Sequence, residues 1–153
     1  MVQLIEKTHD QIAEWLPGMQ SDYIEQRVGS GEPRAVAESG AAAQMAQLFP
    51  DGVPADGQHV MNVVVDDEAV GTLWMGRPFN AADDTWFVFY VEIDEACRGQ
   101  GHGRVAMQAA EAWTREHGGS KIALNVFGPN TVARSLYDSL GYHVMATAMF
   151  KDL

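Results

Sequence analysis

The chain has one cysteine, Cys97, so no disulfide can form within it. Its first residues, Met1-Val2-Gln3-Leu4-Ile5-Glu6, lack the basic start and apolar centre of a secretion signal. A reducing, cytoplasmic setting is the expectation that follows. No apolar run approaches the roughly 20 residues that a membrane-crossing helix needs, and no lysine-rich run is present to hold a membrane surface or a phosphate backbone. Neither a membrane nor nucleic acid is an expected partner. The five histidines, His9, His59, His102, His117 and His143, show no close metal-ligand spacing, so no metal is expected. Internal repeats and low-complexity linkers are absent as well. What remains is a chain of 153 residues, 46% hydrophobic, expected to fold as a single α/β domain over residues 1–153.

Basic residues are scarce, 10 against 21 acidic ones, for a formal net charge of −11. The imbalance is uneven: residues 1–97 carry 4 basic and 17 acidic side chains, net −13, whereas residues 98–153 carry 6 and 4, net +2. Two ligand surfaces, one attracting cations and one tolerating anions, would produce this pattern, as would ordinary surface charge.

Val2 to Glu6 alternates like a short strand, and Thr8 or Asp10 can cap a helix through Ile12, Trp15 and Leu16. Pro17-Gly18 is expected to break or kink it before a second stretch, Met19 to Val28, which Gly29-Ser30-Gly31 ends. Pro33 opens a third helix that runs to Phe49 across Gly40. From Gln58 the period changes. Strands are expected at about Gln58–Val65 and Ala69–Met75, joined by the polar tip Asp66-Asp67-Glu68. Trp86 to Ile93 is aromatic and β-branched enough for a central strand buried on both faces. By strict alternation Phe87, Phe89, Val91 and Ile93 share one face, and Val88, Tyr90 and Glu92 the other. A helix up to His117, a strand Lys121–Val126, a helix Asn130–Leu140 and a last strand His143–Phe150 complete the pattern. Trp15, Trp74, Trp86 and Trp113 sit in apolar patterns and read as core, which leaves monomer and homodimer equally open.

The central strand leads straight into Arg98-Gly99-Gln100-Gly101-His102-Gly103 and then a helix. A buried strand, a glycine turn and a helix start bring several backbone N–H groups and the positive end of a helix to one point, which suits a phosphate. A Walker loop would need lysine and Ser or Thr after its last glycine, but Arg104-Val105 stands there. A dinucleotide fingerprint would need a glycine at Arg104, and nicotinamide-cofactor binding without CoA binding would be its mark. A tight turn holding no ligand is the remaining alternative.

This sequence resembles the GCN5-related N-acetyltransferase (GNAT) superfamily. Arg98-Gly99-Gln100-Gly101-His102-Gly103 meets that family's pyrophosphate signature, Arg or Gln-x-x-Gly-x-Gly or Ala. Downstream, Asn130, Ala133, Leu136, Tyr137, Gly141 and Tyr142 match its Asn-x-x-Ala-x-x-Leu-Tyr-x-x-x-Gly-Phe or Tyr. The likeness covers about residues 84–143, and the segment Val91 to Arg98 is similar to small uncharacterised bacterial members. It implies a mixed, mostly antiparallel sheet flanked by helices on both faces, with a shortened C-terminal strand region. It implies acetyl-CoA as cosubstrate, the pantetheine arm along Val91 to Ile93, and the pyrophosphate on the N–H groups of Arg98, Gly99, Gln100, Gly101, His102, Gly103 and Arg104. Asn130 would contact the cofactor while also capping its helix.

The implied activity is direct transfer, in a ternary complex, of an acetyl group to a primary amine: a small amine, a polyamine, a lysine or an N-terminal amine. A CoA-binding module without transfer activity is the alternative. Tyr137 is the candidate general acid toward the leaving thiolate, against plain packing on the helical face of Ala133 and Leu140. Glu92 is the candidate base, because an isolated carboxylate in a buried strand is desolvated, against a structural ion pair or a water chain. Cys97 has no base near it in sequence and reads as a packing residue. Only about ten residues follow Tyr142, so a wall for the acceptor must come from residues 10–57 or a partner subunit, or be missing. The acidic first part favours a cationic small-molecule or peptide amine.

Overall fold

The computed structural model describes residues 1–78 and 82–153. The elements in order are β1 (Val2–Glu6), α1 (His9–Gly29), α2 (Arg34–Leu48), β2 (Gln58–Val65), β3 (Glu68–Gly76), β4 (Thr85–Ile93), α3 (His102–Glu116), β5 (Lys121–Leu124) and α4 (Thr131–Ser139). They build one sheet in the order β1-β2-β3-β4-β5, antiparallel from β1 to β4 and parallel between β4 and β5. Asp66 and Asp67 turn the β2–β3 hairpin in left-handed conformations, where a short polar side chain is tolerated. Among the described residues no helix is long and apolar enough to cross a membrane.

Both faces of the sheet are covered. Met61, Val63, Leu73, Met75 and Val88 pack under Ala106, Met107 and Ala110 of α3 and Tyr137 of α4. The alanines let α3 lie close to the strands. On the other face Ile12 and Met19 of α1, Met45 and Leu48 of α2, and Phe49 cover Val60 and Trp74.

Three expectations are corrected. Pro17-Gly18 neither breaks nor ends the first helix, which runs unbroken from His9 to Gly29. Proline removes one backbone hydrogen bond, but buried Ile12 and Met19 stand on either side of it, and their packing holds one continuous helix on the sheet. Thr8 and Gln11 close its start as a reciprocal capping box. Residues 143–150 form no strand: the sheet ends at β5, and alternation alone does not make a strand without a hydrogen-bonded neighbour. Val144, Met145, Met149 and Phe150 are exposed there.

The third correction bears on the site. The β3–β4 ladder runs from Gly71 opposite Ile93 to Trp74 opposite Tyr90, then resumes at Met75 opposite Val88, so Phe89 is an extra residue. This bulge resets the alternation. Trp86 and Val88 share the α3/α4 face with Val91 and Ile93, while Phe89 and Tyr90 pack on the α1/α2 side.

Candidate active site

β4 pairs with β5 only from Thr85 opposite Lys121 to Val88 opposite Leu124. Beyond Val88 the two strands no longer pair, and the second half of β4 presents a free edge. Asp94 N–H donates to Val70 O across β3 at 2.9 Å. Peptide groups along a strand point to alternate sides, so those of Glu92 also face β3 and those of Val91 and Ile93 face the open edge. An extended chain bearing amides can pair there as an added strand does.

The free edge ends at the glycine turn. Gly99 (φ 74°) and Gly101 (φ 84°) hold left-handed conformations that cost other residues about 1–2 kcal/mol. Gly101 begins α3 without any side-chain cap. Arg98 N–H is taken by Glu95 O and Arg104 N–H by Gly101 O, but among the described residues no backbone acceptor outside α3 takes the N–H groups of Gly99, Gln100, Gly101, His102 and Gly103. His102 and Gly103 stand in the first turn of α3, where no acceptor exists within the helix. Five N–H groups at a helix start can hold a phosphate. At Gly103 an added Cβ would lie 3.3 Å from Leu136 Cδ2, so glycine also lets α4 approach.

Both arginines of the turn are engaged. Arg98 Nε donates to Ile93 O at 2.8 Å, and a terminal nitrogen lies 3.4 Å from Glu92 Oε1. Arg104 donates to Ser139 Oγ at 2.6 Å, tying α3 to α4. The side chain of Asn130 accepts from Ala133 N–H at 3.2 Å and so caps α4. Tyr137, 8% exposed, packs in the α3/α4 cluster with Val91, Ile93 and Cys97.

Glu92 is not an isolated carboxylate. Its Oε2 accepts from the Tyr90 hydroxyl at 2.7 Å while Oε1 faces Arg98, and the Tyr90 hydroxyl also lies 3.4 Å from Asp22 Oδ2 of α1. α1 thereby walls the side of β4 that carries Tyr90 and Glu92. Farther along, Tyr23 of α1 packs against Phe127, their ring centroids 6.1 Å apart. Beside them a cleft of about 260 Å³ is lined by Gln26, Gly29, Ser30, Phe127, Pro129 and Asn130. Sequence reasoning missed Asp22, Tyr23, Tyr90 and Phe127 because their meeting depends on contacts between distant segments. The one available signal was the acidic excess of the first 97 residues.

Burial pushes the hydroxyls of Tyr90, Tyr137 and Tyr142 above their ordinary value of 10; Glu92 and Asp22 add to this at Tyr90, and Glu111 at Tyr142. The folded state therefore favours the protonated phenols, a contribution fully present below the unfolded value and lost as pH rises through the folded ones. Tm should be insensitive to these groups up to about pH 10 and fall above it. A spectrophotometric phenolate titration run beside thermal melts checks this; ionisation of all tyrosines near pH 10 without loss of structure would contradict it.

The acetyltransferase (GNAT) family model matches residues 16–142. The chain belongs to the GNAT acetyltransferase family. This GNAT enzyme is similar to the uncharacterized N-acetyltransferase YdgE of Bacillus subtilis, 29% identical over 137 residues that span 86% of this chain and 85% of that protein. It is 28% identical to a second uncharacterized N-acetyltransferase of that organism, YycN, over 107 residues, 69% of each. The crystal structure of YycN shares the fold with a TM-score of 0.91 at 24% identity, covering 100% of this chain and 99% of that one. The GNAT fold is also shared, at a TM-score of 0.59 and 15% identity over 100% and 97% of the chains, with AAC(6')-Iy in complex with the bisubstrate analogue CoA-S-monomethyl-acetylneamine.

Proposed function

We propose that this enzyme transfers the acetyl group of acetyl-CoA to a primary amine by direct attack within a ternary complex. The observation that carries this reading is the continuity of two backbone surfaces: the edge of β4 beyond Val88, which has no partner strand and where Arg98 takes only Ile93 O, and the N–H groups of residues 99–103. A cosubstrate with an amide-bearing arm and a pyrophosphate suits both at once. The N–H groups of Gly99, Gln100, Gly101, His102 and Gly103 bind the pyrophosphate, with charge added by Arg98 and Arg104. Val91 and Ile93 pair with the arm, and one of their N–H groups holds the thioester oxygen where negative charge develops. Asn130, at the start of α4, adds a polar contact.

Glu92 and Tyr137 stand on opposite sides of this strand, which fits removal of a proton from the nitrogen on one side and delivery of one to the sulfur on the other. At neutral pH only about one alkylamine in a few thousand is uncharged. Glu92, 38% exposed, takes the proton from the incoming ammonium directly or through water. The amine nitrogen bonds to the acetyl carbon, the carbon–sulfur bond breaks, and Tyr137 gives its proton to the departing thiolate; the second proton shed by the nitrogen leaves through water to solvent, from which the Tyr137 phenolate is reprotonated.

Acetyl-CoA calorimetry alongside thiol release with a panel of small amines and peptides tests the reading. Micromolar binding with amine-dependent release is expected, and absence of acetyl-CoA binding would overturn it. Glu92→Gln should lower turnover about 10²-fold at neutral pH and change the shape of the pH–rate profile. A variant profile superimposable on the wild type would take the base role from Glu92.

A further inference from the structure

The Tyr90 hydroxyl has one hydrogen to give and two carboxylates around it, Glu92 Oε2 at 2.7 Å and Asp22 Oδ2 at 3.4 Å. Burial together with these anions keeps the hydroxyl protonated and neutral, so it offsets the charge of neither carboxylate. Arg98 offsets Glu92 from the side of the glycine turn. Among the described residues no basic side chain forms a salt bridge with Asp22. The bulge at Phe89 is what sets Tyr90 and Glu92 toward α1, and Asp22, Gln26 and Gly29 follow one another along one helical face from there to the cleft at Phe127. That cleft lies at the C-terminal end of α1, whose last carbonyls carry partial negative charge.

We propose that Asp22 is a specificity-determining residue that selects acceptors carrying a second positive charge a short aliphatic spacer away from the reacting amine. The inference rests on the acetyl-transfer reading above and names the substrate class of that same site: a compact diamine rather than a monoamine. Glu92 serves the reacting nitrogen. Asp22, held across the same tyrosine hydroxyl, receives the ammonium that does not react, and the rest of a longer acceptor follows α1 toward the cleft.

The test uses the full chain with acetyl-CoA and two probes, 1,4-diaminobutane and 1-aminobutane, compared by kcat/KM at one pH and ionic strength. A diamine has more uncharged amine in solution than a monoamine of equal length. The readout is therefore the change in the diamine-to-monoamine ratio on mutation, which solution ionisation cannot alter. Asp22→Asn should lower that ratio about tenfold, chiefly through KM for the diamine. Raising salt from about 0.05 to 0.5 M should lower the wild-type ratio too, which keeps the test valid if the variant folds poorly. A ratio unmoved by both, or a wild type that binds acetyl-CoA and fails to acetylate the diamine, overturns the assignment of Asp22. Failure of the wild type to bind acetyl-CoA instead overturns the underlying acetyl-transfer reading and the proposal with it.

Discussion

Tyr137→Phe should lower kcat about a hundredfold at neutral pH while acetyl-CoA affinity stays within about twofold of the wild type. The substitution removes one oxygen and keeps the ring, which is 8% exposed and packs with Val91, Ile93 and the small residues of α3. In the proposed complex acetyl-CoA lies on the β4 edge and the glycine turn, neither of which loses a group. Burial holds the hydroxyl above its ordinary value, so it is protonated throughout the working range and available to a departing thiolate. A thiol of ordinary acidity, near about 8.5, leaves unaided as the anion once the pH exceeds that value. The deficit of the variant should therefore narrow as pH rises from 7 to 9. Steady-state rates over that interval, with calorimetric acetyl-CoA titrations, check both parts. A variant with full kcat and a lowered Tm would make Tyr137 a packing residue.

The parts of the site that were legible in the sequence are those built by neighbours in the chain. The turn Arg98 to Gly103 needs glycine torsions and a following helix, and each leaves a local mark. Asn130 caps the helix that carries Tyr137, so their relative placement follows from local spacing. The two faces of β4 were not legible in full, because the extra residue at Phe89 appears only when β3 is laid beside it. Asp22 reaches Tyr90 across 68 positions of sequence, a distance over which no local pattern speaks. The same limit explains Pro17: a proline marks a missing hydrogen bond, but whether the helix continues depends on what Ile12 and Met19 pack against. At residues 143–150 alternation was present and a partner strand was not.

Gly71→Ala should be the most damaging single-methyl change among the glycines of the sheet, lowering stability by about 3 kcal/mol and Tm by about 6–10 °C. Gly71 lies on β3 opposite Ile93, and a Cβ there would overlap Glu92 O and crowd Ile93 Cα. Both are backbone atoms of the site strand, so relief requires β3 and β4 to separate. The strand that must move has no hydrogen-bonded neighbour on its other side at this level, since β5 stops pairing at Val88. It would shift into the open edge, carrying the peptide groups of Val91 and Ile93 with it. Acetyl-CoA affinity should therefore fall about tenfold in addition to the loss of stability, as two or more well-aligned hydrogen bonds lose their geometry. Gly76, on the same strand, provides the contrast. A Cβ at Gly76 would meet only the end of the Gln58 side chain, which can swing away at the cost of its 2.9 Å bond from Trp74 Nε1. Gly76→Ala should cost about 1 kcal/mol and leave acetyl-CoA affinity unchanged. Thermal melts and acetyl-CoA calorimetry on the two variants separate general weakening of β3 from displacement of the site strand. Equal losses of affinity in both would remove Gly71 from any special part in holding β4.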